Sequence, residues 1–228
     1  MTLLTAAAIA AFVRLGTWQW HRAQLKSAQQ AQFEAGAQTV TPLDAVNADT
    51  LPRYAMVRVD GHYDPAHQFL LENISQRGLP GYEVLTPFAF AEGHTLMVNR
   101  GWIPAGGSRS QLPDISLRSD TAAGTVTGRL DALPVVGISL GHIPPAADGR
   151  WPKLTAFPTM PDLSNVLRRP LQSRQLLLNP DQPDGYQREW QLGGFGPGRH
   201  LSYAVQWWAF AALALVLYVC LNGRRRSA

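Results

Sequence analysis

Arg199-His200-Leu201-Ser202-Tyr203-Ala204-Val205-Gln206-Trp207-Trp208 is the stretch whose reading decides the architecture. A cation and an imidazole open it, and apolar sequence follows at once. Residues 201–221 contain no charged side chain, and Arg224-Arg225-Arg226 come directly after them. At about 1.5 Å per residue this helix is roughly 31 Å long, the thickness of a hydrocarbon core. The stretch therefore predicts a C-terminal membrane helix with its histidine at the polar surface. The arginine triplet places the C-terminus in the cytoplasm by the positive-inside rule.

The N-terminus repeats the theme less cleanly. Residues 3–13 are apolar but too short to span, and Arg14 interrupts them before Leu15-Gly16-Thr17-Trp18-Gln19-Trp20. Residues 3–20 span if Arg14 snorkels to a polar surface. No basic residue precedes the apolar run, which favours a retained membrane helix over a cleaved signal peptide. The expected order is membrane helix one over 3–22, a periplasmic β-rich domain over 23–199, membrane helix two over 200–221 and a basic cytoplasmic tail over 222–228. Both termini then lie in the cytoplasm.

The 228 residues leave a central segment large enough for one well-buried domain. A single cysteine, Cys220, excludes an internal disulfide and a Cys-x-x-Cys site. The formal charge of +4 owes much to the terminal arginines, and no basic stripe points to nucleic acid.

Between the helices the hydrophobic period falls to two. Val57 and Val59 alternate with Arg58 and Asp60, predicting a strand from residue 54. Further strands are expected over 67–74, 82–90, 94–101, 125–133, 175–178 and 188–191, with a turn over 78–81. Thr41-Pro42 reads as the start of a short helical turn, and 162–169 as a short helix capped by Asp162. Residues 22–35 extend helix one, and the glycines of 193–198 form a hinge before helix two. The fold class is an α+β membrane protein. Two transmembrane helices flank a mainly antiparallel β domain, a small sheet or partly open barrel.

Several residues could carry chemistry. At about 100° per residue His200, Tyr203, Ala204, Trp207 and Ala211 share one helix face. His200 sits in the first turn, beside the positive end of the macrodipole, and neutral imidazole is the form that ligates haem iron. Trp18, His21 and their neighbours end helix one at the same depth if the helices are antiparallel. The alternative is an aromatic belt anchored in the headgroups. In the β domain, Asn99, Arg100 and Trp102 satisfy backbone groups and cap the core, or else meet a partner. His62, His67 and His94 lack companions at metal-ligand spacing and read as exposed hairpin histidines. Gly137-Ile138-Ser139-Leu140-Gly141 fits the nucleophile-elbow pattern, but Pro144-Pro145 oppose the helix that an elbow needs. An anchored serine hydrolase using Ser139 is thus a remote alternative.

Four motifs in order resemble the surfeit locus protein 1 family of cytochrome c oxidase assembly factors. They are Leu15-Gly16-Thr17-Trp18-Gln19 with Arg22; Gly61-His62-Tyr63 followed by residues 81–88; Val98-Asn99-Arg100-Gly101-Trp102-Ile103-Pro104; and His200 with Tyr203-Ala204 and Gln206-Trp207. The resemblance implies a non-enzymatic protein of the bacterial inner membrane that binds haem a and assists its insertion into oxidase subunit I. Subunit I, haem a synthase and the bilayer are the implied partners. His200 corresponds to the family's haem-binding histidine and Trp207 to its associated tryptophan. Tyr203, Trp18 and His21 are further candidates around the cofactor, and Gln206 belongs to the partner or structural set. Arg14, within a short first helix, departs from the pattern. A cofactor-free scaffold for subunit I is the competing reading.

Overall fold

The computed structural model describes residues 2–44, 46–91, 93–106, 112–118, 123–134, 145–146 and 148–226. They form two compact units. One combines residues 1–32 with 192–228, and the other is Phe33–Gln191.

The second unit is built on eight strands: β1 (Val40–Pro42), β2 (Met56–Tyr63), β3 (Phe69–Gln76), β4 (Leu79–Ala91), β5 (His94–Pro104), β6 (Ala123–Asp131), β7 (Lys153–Thr155) and β8 (Gln175–Leu178). Their order is β1-β2-β6-β8-β5-β4-β3-β7, and an additional pairing of β2 with β4 joins β2, β6, β8, β5 and β4 into a ring. The result is a small barrel with β1, β3 and β7 as extensions, and its pairings are mainly antiparallel. β1–β2, β3–β7 and β5–β8 are the parallel exceptions. Closure depends on a close approach at Gly61. A Cβ there would lie 2.2 Å from the carbonyl oxygen of Ala89, so only glycine lets β2 reach β4.

Alternation places the core on both faces of the sheet. Val57, Val59, Leu96, Val98, Leu176 and Leu178 fill the barrel with Tyr63 and Phe88. Met97, between Leu96 and Val98, faces the other way, with Phe69, Leu71 and Leu85. Leu163 of α2 (Met160–Leu167) is fully buried against that second face. Each fully buried side chain of this size contributes roughly 1.5–3 kcal/mol.

Several expectations are corrected by the backbone. Thr41-Pro42 belongs to strand β1, paired in parallel with Met56–Arg58, and not to a helical turn. Proline is tolerated there because β1 is an edge strand, where no ladder N–H is required. The β3–β4 turn is Arg77-Gly78, and β4 already begins at Leu79. The cap of α2 is Thr159: its side chain accepts from the Asp162 backbone, and Asp162, at N3, returns a bond to the Thr159 backbone. That is a capping box, in which the acidic residue is the second partner. Residues 188–191 form no strand; only Gln187 bridges to Trp102. Arg188 instead donates to the carbonyls of Asn179, Gln182, Pro180 and Tyr186, which holds that segment in an irregular path. The Gly137–Gly141 motif with Ser139 lies outside the described residues.

Polar side chains also enter the core. Asn99 is fully buried and donates to Glu83 Oε2 at 2.7 Å and to Gln175 Oε1 at 3.2 Å. Burial raises the Glu83 carboxyl above the ordinary carboxylate range; the Asn99 bond opposes this, and the Asp131 charge adds to it. An acid that binds its proton more tightly when folded loses stability as pH rises from its unfolded value through its folded one. Glu83→Gln keeps an acceptor for Asn99 and removes the titration. The expected result in pH-dependent thermal unfolding of the full chain is a flatter profile and a higher melting temperature than wild type at neutral pH.

Candidate functional site

Unit one contains α1 (Thr2–Ala35) as far as Gln32, and α3 (Pro197–Arg226). They run antiparallel. Lys26 Nζ donates to the Gly193 carbonyl at 2.9 Å at one end, and the Tyr218 hydroxyl lies 3.3 Å from Thr2 Oγ1 at the other. The only described helix long and apolar enough to cross a membrane is α3, over Pro197–Asn222. Most of that span's large apolar side chains are exposed: Leu213, Leu215, Val216, Leu217, Val219 and Leu221 are all more than half accessible. An exposed face of this kind suits lipid.

Small residues make the seam between the helices. Gly16 and Ala23 of α1 and Ala204 and Ala211 of α3 are buried. A Cβ on Gly16 would lie 2.4 Å from Trp208 Nε1, so the indole rests directly on the α1 backbone. Phe12 stacks on Trp207 with centroids 5.7 Å apart, and Trp20 meets Trp208 at 6.1 Å. Close approach over small residues is a recurring solution for helix association in lipid.

His200 is half-buried at this seam. Its Nδ1 lies 2.8 Å from Gln19 Oε1. An amide oxygen only accepts, so Nδ1 is the donor in this contact, and in a neutral ring the lone pair is then at Nε2. Among the described residues Nε2 has no hydrogen-bond partner. The Phe195 ring stands edge-on to the imidazole, with centroids 6.3 Å apart.

The remaining candidates divide. Trp207 joins His200, Ala204 and Ala211 along the α3 face turned to α1. Tyr203, expected on the same face, is displaced to its edge and 43 % exposed. Trp18 is 52 % exposed, beneath the Arg22 guanidinium at 5.9 Å. His21 and Gln206 are exposed. Sequence reasoning missed Gln19 as the partner of His200, and it missed Phe12 and Gly16 in the seam. The period of Phe12, Gly16, Gln19 and Ala23 was the available signal.

In unit two Asn99 and Arg100 point inward. Arg100 is 1 % exposed and donates to the Asp184 and Ile115 carbonyls and to Gln68 Oε1, at 2.7, 2.9 and 2.9 Å. Trp102 Nε1 donates to the Ile74 carbonyl at 3.2 Å. Of the three hairpin histidines His62 is exposed, as expected, while His67 and His94 are half-buried. His67 Nδ1 contacts the Asp64 carboxylate at 2.8 Å, and His94 Nδ1 meets Gln172 at 3.0 Å. Burial works against the Asp64 carboxylate, but the bonds from Arg169 and His67 outweigh it and hold it below the usual range. No cluster of three metal-ligating side chains occurs among the described residues.

A paired-helix unit with an oriented imidazole, joined in one chain to a small barrel, defines a β-domain protein with an apolar C-terminal anchor helix. Its sequence matches the SURF1 family over residues 6–212. It is 32 % identical over 187 residues to uncharacterized SURF1-like proteins of Mycobacterium bovis and Mycobacterium tuberculosis, covering 77 % of this chain and 64 % of theirs. A SURF1-like protein of Monosiga brevicollis is 26 % identical over 235 residues, covering 93 % of this chain and 85 % of its own. The chain belongs to the SURF1 family, known broadly for cytochrome oxidase assembly. It spans about 64 % of the length of its mycobacterial relatives.

The Gly16 contact has a direct consequence. Gly16→Leu drives a branched side chain into the Trp208 indole and separates α1 from α3. The tryptophan exciton signal in circular dichroism should fall by as much as Trp20→Phe lowers it, with helix content retained.

Proposed function

We propose that this chain is a membrane-anchored assembly factor for haem-copper cytochrome c oxidase that binds haem a at His200 and assists its insertion into subunit I. The observation that carries this reading is the hydrogen bond from His200 Nδ1 to Gln19. Iron-ligating histidines commonly donate their second nitrogen to a fixed acceptor, which sets the tautomer and aims the other nitrogen at the metal. Gln19 supplies that acceptor from the neighbouring helix.

The surrounding residues fit the group. Haem, when bound, would supply an iron that takes a nitrogen ligand, and His200 would hold it through Nε2. Trp207, backed by Phe12, gives an aromatic wall within the seam, and Trp18 and Tyr203 are accessible aromatic surfaces near it. The apolar face of α3 offers a surface for the isoprenoid tail of haem a. Among the described residues His200 contacts the Gln19 amide and the Phe195 ring, surroundings that suit binding and presentation. Asn99 and Arg100 are buried in the barrel unit, so they serve that unit's integrity better than a docking surface, which weakens the cofactor-free scaffold reading.

Arg224-Arg225-Arg226 place the C-terminus in the cytoplasm of a bacterial inner membrane. With α1 as a second span, its Arg14 snorkelling, the barrel unit is periplasmic. Subunit I is the receiving partner and haem a synthase the supplying one.

Purification from cells that make haem a tests the reading. Wild type should carry a haem a absorption band, and His200→Ala should lose at least about nine-tenths of it, as expected when the protein's iron ligand is removed. Equal haem content in the two proteins would sink the ligand assignment.

A further inference from the structure

Resting on that reading, we propose that Arg22 and Arg199 form the carboxylate-accepting end of the site and take the propionate groups of the tetrapyrrole.

The two flanks of the helix seam differ. Trp20 and Trp208 lie about 100° and 80° round their helices from Gln19 and His200, and they meet each other, so they fill one flank. Trp18 and Arg22 on α1, and Tyr203 and Arg199 on α3, are rotated the opposite way by about 60–100°. In an antiparallel pair those four share the other flank. A flat aromatic ligand held by His200 has two aromatic side chains there and two guanidinium groups at one end.

The level of the charges is also right. Arg22 lies one turn beyond Gln19, toward the end where Lys26 bonds the Gly193 carbonyl. Arg199 directly precedes His200 in the first turn of α3. The opposite direction along α3 is the long apolar run. An amphipathic ligand is thereby oriented with carboxylates at the polar end and its tail toward lipid.

Among the described residues neither arginine has a carboxylate partner. Residues 1–32 and 192–228 contain no Asp or Glu, although the chain has 16. The Arg199 guanidinium rests on the Phe195 ring at 4.3 Å, and that ring also packs edge-on to His200. Arg22 rests on Trp18. Aromatic supports hold the planar donors in place without occupying their N–H groups, which stay available for a bidentate carboxylate. Lys26, by contrast, is committed to Gly193 and Gln29.

The test uses the full chain in phosphatidylcholine nanodiscs, titrated with haem and with haem esterified at both propionates. Wild type should bind the free acid at least about ten-fold tighter, the scale of one charge-assisted pairing. In the double variant Arg22→Gln with Arg199→Gln, the two affinities should converge on the wild-type ester value. Arg22→Lys and Arg199→Lys keep the charges and should keep most of the preference. A preference unchanged by the double substitution overturns the proposal; it is also the outcome if these arginines serve lipid phosphate. An unchanged preference with a His200-dependent spectrum leaves the site reading standing. A spectrum that His200→Ala does not alter removes both.

Discussion

The seating of the Trp208 indole on the α1 backbone at Gly16 is the constraint on which the histidine site depends. Helices that meet over small residues associate through close packing and hydrogen bonds. Gly16, Ala23, Ala204 and Ala211 remove the bulk that would hold α1 and α3 apart. Trp208 then settles on Gly16, and Gln19 comes within 2.8 Å of His200. An interhelical hydrogen bond of this kind contributes about 0.6–2 kcal/mol to association. Its larger consequence is directional, because it decides which imidazole nitrogen is left for a ligand.

The barrel unit follows a different economy. Its sheet is buried on both faces of β5, so Leu96 and Val98 serve one core and Met97 the other. The Asn99-Arg100-Gly101-Trp102 run is the hub of that arrangement. Asn99 ties β5 to Glu83 and Gln175, while Arg100 reaches the backbone at Ile115 and Asp184. A buried arginine surrounded by acceptors is costly to lose: the Asp184 carbonyl would lose its guanidinium donor, while Ile115 would keep only Gln68 Nε2 and Gln68 Oε1 only Thr86 Oγ1. The most distinctive motif of the β domain is explained by packing and hydrogen bonding within one unit.

Much of this was legible from the residues. Period-two alternation gave β2 through β6 and β8 to within a few residues, because each has at least one face in a core. β1 and β7 escaped: three-residue edge strands carry no periodicity, and Pro42 mimics a helix start. Residues 188–191 read as a strand because Trp190 and its neighbours suit one. The four carbonyls gathered by Arg188 outweigh that preference. The α3 face holding His200 and Trp207 was readable from helical spacing, but Gln19 was not. Its role depends on which residues of α1 and α3 stand level, and that follows from the antiparallel offset fixed by the Lys26–Gly193 contact.

Nitrogen-15 NMR of the full chain, labelled at its six histidines and assigned with His200→Gln, reads the decisive contact directly. His200 should be a neutral ring protonated at Nδ1 with Nε2 bare, and Gln19→Leu should abolish that preference. A ring protonated at Nε2, or a spectrum indifferent to Gln19→Leu, would contradict the oriented-histidine site.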